Sequence, residues 1–166
     1  MTEKRGYCGI GIERPKFVVN LGTLWRSAHC LGADFIFTVG DLIHPTDRYC
    51  AGNLTRDECY RPGPSDTTLA YKHIPFFAYG SVDDLYDHLP LGCQVVGVEI
   101  TDYARALETF CHPERAIYLL GPENGSLSKA AQAMCNHIVK IESSYCLNVA
   151  SAGTVVLYDR QTKAMH

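Results

Sequence analysis

Two continuous apolar runs, Cys93 to Ile100 and Arg115 to Leu120, constrain this chain more than any other feature. A strand wetted on one face alternates apolar with polar residues, and these runs do not. They read as parallel strands buried on both faces. Parallel neighbours need a crossover, and Tyr103 to Phe110 between them reads as a short helix.

The same alternation recurs along the chain. Tyr7 to Ile12 reads as a strand, Leu21 to Leu31 as a helix with Asn20 as its N-cap, and Asp34 to Val39 as a second strand. A polar stretch containing Pro and Gly, Gly40 to Thr67, reads as a loop or insertion. A strand around Ile74 to Ala78 and a helix near Val82 to His88 follow, the helix ended by Pro90 and Gly92. Leu127 to Cys135 reads as a helix, His137 to Ile141 as a strand, and Val149 to about Tyr158 as a last helix. The fold class is α/β, a mostly parallel sheet with helices on both faces. No repeat or linker divides the chain, so residues 1–166 are expected to form one domain.

Composition excludes several classes. With 46% hydrophobic and 20% charged residues the chain can bury a core, which argues against disorder. No stretch approaches the ~20 apolar residues of a membrane span, and Met1 to Gly6 has no apolar signal segment. A cytoplasmic protein with no membrane contact is expected. The eight cysteines form no C-x-x-C pair, and the seven histidines no H-x-x-x-H spacing. Reduced core cysteines and no metal follow. The net charge of −3 argues against bulk electrostatic binding of nucleic acid, although Lys4, Arg5, Arg14, Lys16 and Arg26 leave room for a local basic face.

The common α/β enzyme signatures are missing. Gly9-Ile-Gly11 lacks the third glycine of a dinucleotide fingerprint and runs into Ile-Glu-Arg-Pro rather than a helix start. Neither a phosphate-cradling G-x-x-x-x-G-K-[ST] nor a G-x-S-x-G elbow is present.

Three separated segments set small or polar residues into apolar surroundings where a strand or loop gives way to a helix: Asn20 to Arg26, Leu120 to Ser128 and Cys146 to Gly153. Free backbone N–H groups at such junctions meet ligands readily, so one composite site is expected. The order Asn-x-Gly-x-x-x-Arg, then Gly-x-Glu, then Asn-Val-Ala resembles the SpoU/TrmH branch of the SPOUT RNA methyltransferases, from about Val18 to Tyr158. The resemblance implies a C-terminal trefoil knot, S-adenosylmethionine as cofactor, a homodimer with the site near its interface, and methylation of a ribose 2′-hydroxyl in tRNA or rRNA.

By that resemblance Arg26, Asn20, Glu123, Asn148 and Cys146 form the catalytic group. A guanidinium keeps its proton with a pKa above ~12, so Arg26 is expected to orient a phosphate and stabilise a developing alkoxide rather than act as a base. Glu123 is expected to hold the site together by hydrogen bonds, or to sit favourably at a helix start, and Asn148 doubles as an N-cap. Ile100, Thr101, Gly121, Ile141, Cys146 and Leu147 are the expected cofactor-pocket residues. Two departures stand out. Cys146 replaces the family's usual serine, and Glu123-Asn-Gly-Ser moves a glycine forward by one.

The chain is similar to the minimal form of the family, which favours tRNA over rRNA as substrate; the Gly40 to Thr67 stretch is expected to shape substrate choice. The competing readings are an rRNA ribose methyltransferase, a methyltransferase acting on a base or a protein, and a non-catalytic knotted dimer that binds cofactor or RNA.

Overall fold

Residues 6–40 and 65–163 are described by the computed structural model. In chain order the elements are β1 (Tyr7–Glu13), α1 (Val18–Cys30), β2 (Phe35–Val39), β3 (Phe76–Tyr79), α2 (Val82–Asp87), β4 (Gln94–Val98), β5 (Arg105–Ala106), β6 (Arg115–Leu120), α3 (Lys129–Met134), β7 (His137–Lys140) and α4 (Val149–Lys163). Short 3-10 turns cover Ala70–Lys72 and Leu107–Thr109. The seven strands form one sheet, ordered β3-β2-β1-β6-β4-β7-β5, and every ladder among the described residues is parallel.

Strand β6 explains why its sequence does not alternate. Ala116, Tyr118 and Leu120 face a core closed by Leu24 and Trp25 of α1 and by Val156 and Leu157 of α4. Ile117 and Leu119 face a second core with Leu85 of α2 and Ala131 of α3. Helices cover both faces, as expected for an all-parallel sheet. The Gly9-Ile-Gly11 pair belongs to packing. A Cβ on Gly9 would lie 2.3 Å from the Phe35 ring, and one on Gly11 would lie 2.4 Å from the Phe37 carbonyl oxygen. Aromatic rings of β2 fill the space that side chains on β1 would occupy.

Several expectations need correction. Tyr103 to Phe110 is not a helix: Arg105–Ala106 pairs with β7 at the sheet edge, and Leu107–Thr109 makes a 3-10 turn. Leu107 and Phe110 are both buried, so their helix-like spacing was a real signal of packing, but edge pairing overrides a full helix. Helix α1 starts at Val18, with Phe17 at the cap and no side-chain cap bond, so Asn20 is not its N-cap. Helix α4 continues beyond Tyr158 to Lys163. Of the described cysteines only Cys8 is buried, whereas Cys30, Cys111 and Cys146 are exposed rather than core. Most of the Gly40 to Thr67 stretch lies outside the described residues, as do Lys4, Arg5, Cys50 and Cys59.

Among the described residues no helix is long and apolar enough to cross a membrane, and no group of three or more His, Cys, Asp and Glu is arranged to hold a metal ion.

Candidate functional site

Register brings the strand ends together. Val98 pairs with both Leu120 and Val139, so the segments after β4, β6 and β7 leave the sheet at one level. In parallel α/β sheets ligands bind outside the carboxyl ends of the strands, and the three segments enclose a cavity of about 220 Å³ there. Its apolar wall comes from Val98, Ile100, Leu120, Ile141 and Leu147, with Gly121, Glu123 and Cys146 beside them. Ile100 is 61% exposed and Leu147 43% exposed, so two apolar side chains at the rim remain uncovered.

Gly121 has a specific reason to be glycine. A Cβ there would lie 2.9 Å from the Leu127 nitrogen and 3.2 Å from the Ser126 carbonyl carbon, both backbone atoms of the loop that folds over it. That loop is stapled by acids at strand ends. Leu127 N donates to Glu99 Oε2 at 2.7 Å and Ser128 N donates to Glu13 Oε2 at 2.7 Å, while Arg14 Nη2 donates to Ser126 O at 3.1 Å. Glu13 is only 3% exposed. Sequence reasoning missed Glu13, Glu99 and Arg14 as site-forming residues. The available signal was an acid ending each of two apolar strands, where ladder carbonyls stop and a loop's N–H groups need acceptors.

The three segments singled out in sequence meet through side chains. Asn20 Nδ2 donates to Glu123 Oε1 at 3.0 Å, and Asn148 Nδ2 donates to Asn20 Oδ1 at 3.0 Å. Glu123 also accepts from the backbone of Lys16 at 2.9 Å and of Phe17 at 3.2 Å. Its carboxylate thereby faces the start of α1, where negative charge is favourable. No helix begins at Glu123 itself, since α3 starts at Lys129 behind a Ser128 cap. Asn148 Oδ1 accepts from Ala150 N at 2.9 Å and Ser151 N at 3.3 Å, so Asn148 both caps α4 and joins the relay.

Arg26 is not among the residues that line the cavity. It lies six residues beyond Asn20, a rise of about 9 Å along α1, on an exposed face where Nη1 donates to Thr67 Oγ1 at 3.1 Å. Thr101 is also outside the lining, and its buried Oγ1 has no hydrogen-bond partner among the described residues. Lys140 lines the cavity and pairs with Glu142 at 2.9 Å; the hydrogen bond and charge of that carboxylate raise the Lys140 pKa.

The SpoU rRNA Methylase family model matches residues 63–158, which hold the cavity walls, Glu123 and Asn148. The chain belongs to this family. A 23S rRNA (uridine(2479)-2'-O)-methyltransferase of Streptomyces viridochromogenes is 24% identical over 164 residues, covering 94% of this chain and 53% of the relative. The chain therefore spans about half the length of that curated relative. Two solved structures extend the likeness of fold. The SpoU methyltransferase AviRb of the same organism, in complex with the cofactor AdoMet, has a TM-score of 0.75 at 22% identity, covering 98% of this chain and 60% of AviRb. A structure concerned with 2-OH methylation of C/U34 on tRNA has a TM-score of 0.75 at 18% identity, covering 97% of this chain and 98% of that one.

Proposed function

We propose that the chain is an S-adenosylmethionine-dependent RNA methyltransferase acting on a ribose 2′-hydroxyl. The observation that carries this reading is the cavity at the ends of β4, β6 and β7, joined by the Glu123–Asn20–Asn148 relay to the helix bearing Arg26. The residues present fit the cofactor: apolar side chains to enclose an adenine ring and loop backbone to meet its polar edge. Ile100, Gly121, Ile141, Cys146 and Leu147 would hold it. When bound, S-adenosylmethionine supplies an electrophilic methyl group.

The protein's part is positioning. Glu123 ties the β1–α1 turn to the cavity wall, and Asn20 transmits that geometry to the cap of α4. Arg26 holds the RNA phosphate or the 2′-oxygen, because its permanent charge favours a developing alkoxide. Its place outside the cavity of its own chain supports a homodimer in which Arg26 serves the partner's cofactor. The reading includes a C-terminal trefoil knot and a cytoplasmic location, both taken from the family.

We favour tRNA over rRNA on the motif resemblance, supported by a shared fold with the structure concerned with 2-OH methylation of C/U34 on tRNA. The rRNA alternative draws on the Streptomyces relative, and a non-catalytic binding dimer draws on Cys146 in place of serine. Calorimetry with S-adenosylmethionine, then radiolabelled methyl transfer to tRNA and to 23S rRNA from a strain lacking the protein, separates them. Transfer to a ribose of tRNA is expected. Binding without transfer would favour the non-catalytic dimer, and no binding would overturn the cofactor assignment.

A further inference from the structure

We propose that Thr67 is a positioning residue for Arg26, held opposite it by the turn at 65–72; this rests on the role given to Arg26 above. Among the described residues the Arg26 guanidinium makes one hydrogen bond, Nη1 to Thr67 Oγ1 at 3.1 Å. An exposed arginine samples many rotamers, and a group that must meet a phosphate or a developing oxyanion works best already in place. One N–H spent on Thr67 leaves four for the ligand, since a guanidinium carries about five donors.

The turn that carries Thr67 is fastened to α1 on both sides. Ser65 Oγ donates to Val19 O at 2.9 Å, and Ala70 is 0% exposed in the core beside α1. Between them Asp66 is 3% exposed, with Oδ1 accepting from Thr68 Oγ1 at 2.8 Å and its carbonyl from Leu69 N at 3.2 Å. Two features of this turn are unfavourable. Among the described residues Asp66 Oδ2 is buried with no hydrogen-bond partner, and Leu69 is left-handed at φ 53° and ψ 42°. Both are conformations that persist only where the surroundings over-determine them. They flank the hydroxyl that meets Arg26.

The test compares Thr67→Val, which keeps the shape and removes the hydroxyl, with Thr67→Ser, which keeps the hydroxyl. ¹⁵N relaxation at Arg26 Nε should show an ordered side chain in the parent, a lower order parameter in Thr67→Val and recovery in Thr67→Ser. With total RNA as substrate, kcat should fall about tenfold in Thr67→Val and stay within twofold in Thr67→Ser, with a smaller change in KM. In an Arg26→Ala background Thr67→Val should add nothing. Thr67→Ala replaces the valine variant if thermal unfolding shows the latter misfolded. An Arg26 order parameter indifferent to Thr67, or a kcat loss that persists without Arg26, would overturn the proposal. A parent chain that methylates no RNA while Arg26 mobility still follows Thr67 would instead overturn the methyltransferase reading and leave the tether standing.

Discussion

Helix α4 is held at each end by a polar network, and only the far one has a centre buried from water. At its start Asn148 joins Asn20 and Glu123, and of the three Glu123 lines the open cavity. At its end Asp159 meets His112 Nε2 at 2.8 Å and Lys163 Nζ at 2.7 Å, while His112 Nδ1 lies 2.6 Å from the Tyr118 hydroxyl. A carboxylate can only accept, so His112 Nε2 carries the ring's proton and Nδ1 accepts from Tyr118. Arg160 adds bonds to Pro113 O at 2.5 Å, Glu114 O at 2.8 Å and Tyr118 Oη at 3.2 Å. The His112 side chain is 5% exposed, and burial lowers its pKa while raising that of Tyr118. The centre of this network, His112 and Tyr118, is closed to water, where an unsatisfied polar group is costly, so it acts on stability, while Arg160 and Lys163 line a second cavity of about 370 Å³. The open network can lose a bond to water cheaply, so its value lies in geometry.

The largest expected effect breaks the network at the far end of α4. Arg160→Ala leaves the Pro113 and Glu114 carbonyls and the Tyr118 hydroxyl short of a donor, and chemical denaturation should show a loss of about 1–3 kcal/mol, most of it from the buried Tyr118 hydroxyl. Calorimetry on the folded fraction should find S-adenosylmethionine affinity within about twofold of the parent, since α4 remains pinned at Asn148. Asn20→Ala should reverse this pattern: a stability change of about 1 kcal/mol, but a methyl-transfer rate lower by about thirtyfold, because Glu123 and Asn148 are no longer linked. Equal losses in both properties for both variants would erase the distinction.

Gly121→Ala sharpens the comparison at the cavity wall. Its Cβ can be accommodated only by moving the 126–127 backbone, and calorimetry should show S-adenosylmethionine affinity reduced by about tenfold. The smallest effect is the pH response of the buried end. Above pH about 6.5 His112 is neutral whether folded or unfolded, and its contribution is constant. As pH falls below that value the unfolded chain takes up a proton that the folded chain, with its lowered pKa, does not, so stability decreases by up to about 1.4 kcal/mol per pH unit until the folded pKa is reached. Urea unfolding from pH 6.5 to 5.5 should show this slope, and His112→Asn should flatten it.

How much of this was legible in sequence depended on the range of the interactions. The β6 bounds match the run read in sequence, Arg115 to Leu120, because the five apolar residues after Arg115 are all buried, on alternating faces. The α1 start was misplaced because Val18 and Val19 lack helix-favouring character and no side chain caps them; the Glu123 carboxylate, 103 residues from Asn20, takes up the N–H groups just before the helix. The β5 segment was misread because its partner β7 lies more than thirty residues further on. Asn20, Glu123 and Asn148 were visible as a pattern, whereas Glu13 and Glu99 were hidden, since an acid at the end of a strand is also an ordinary surface residue.

The sequence by itself determined that the sheet is parallel, that both its faces are covered, and which three segments carry small and polar residues at strand or helix ends. Those properties follow from local periodicity and from the chemistry of single residues. Only the tertiary structure decided that Asn20 bridges Glu123 and Asn148, that Arg26 stands apart from the cavity against Thr67, and that the last helix is locked at its far end by His112 and Arg160. A hydrogen bond between side chains a hundred residues apart depends on the register of several strands at once, and no local pattern in the chain encodes that sum.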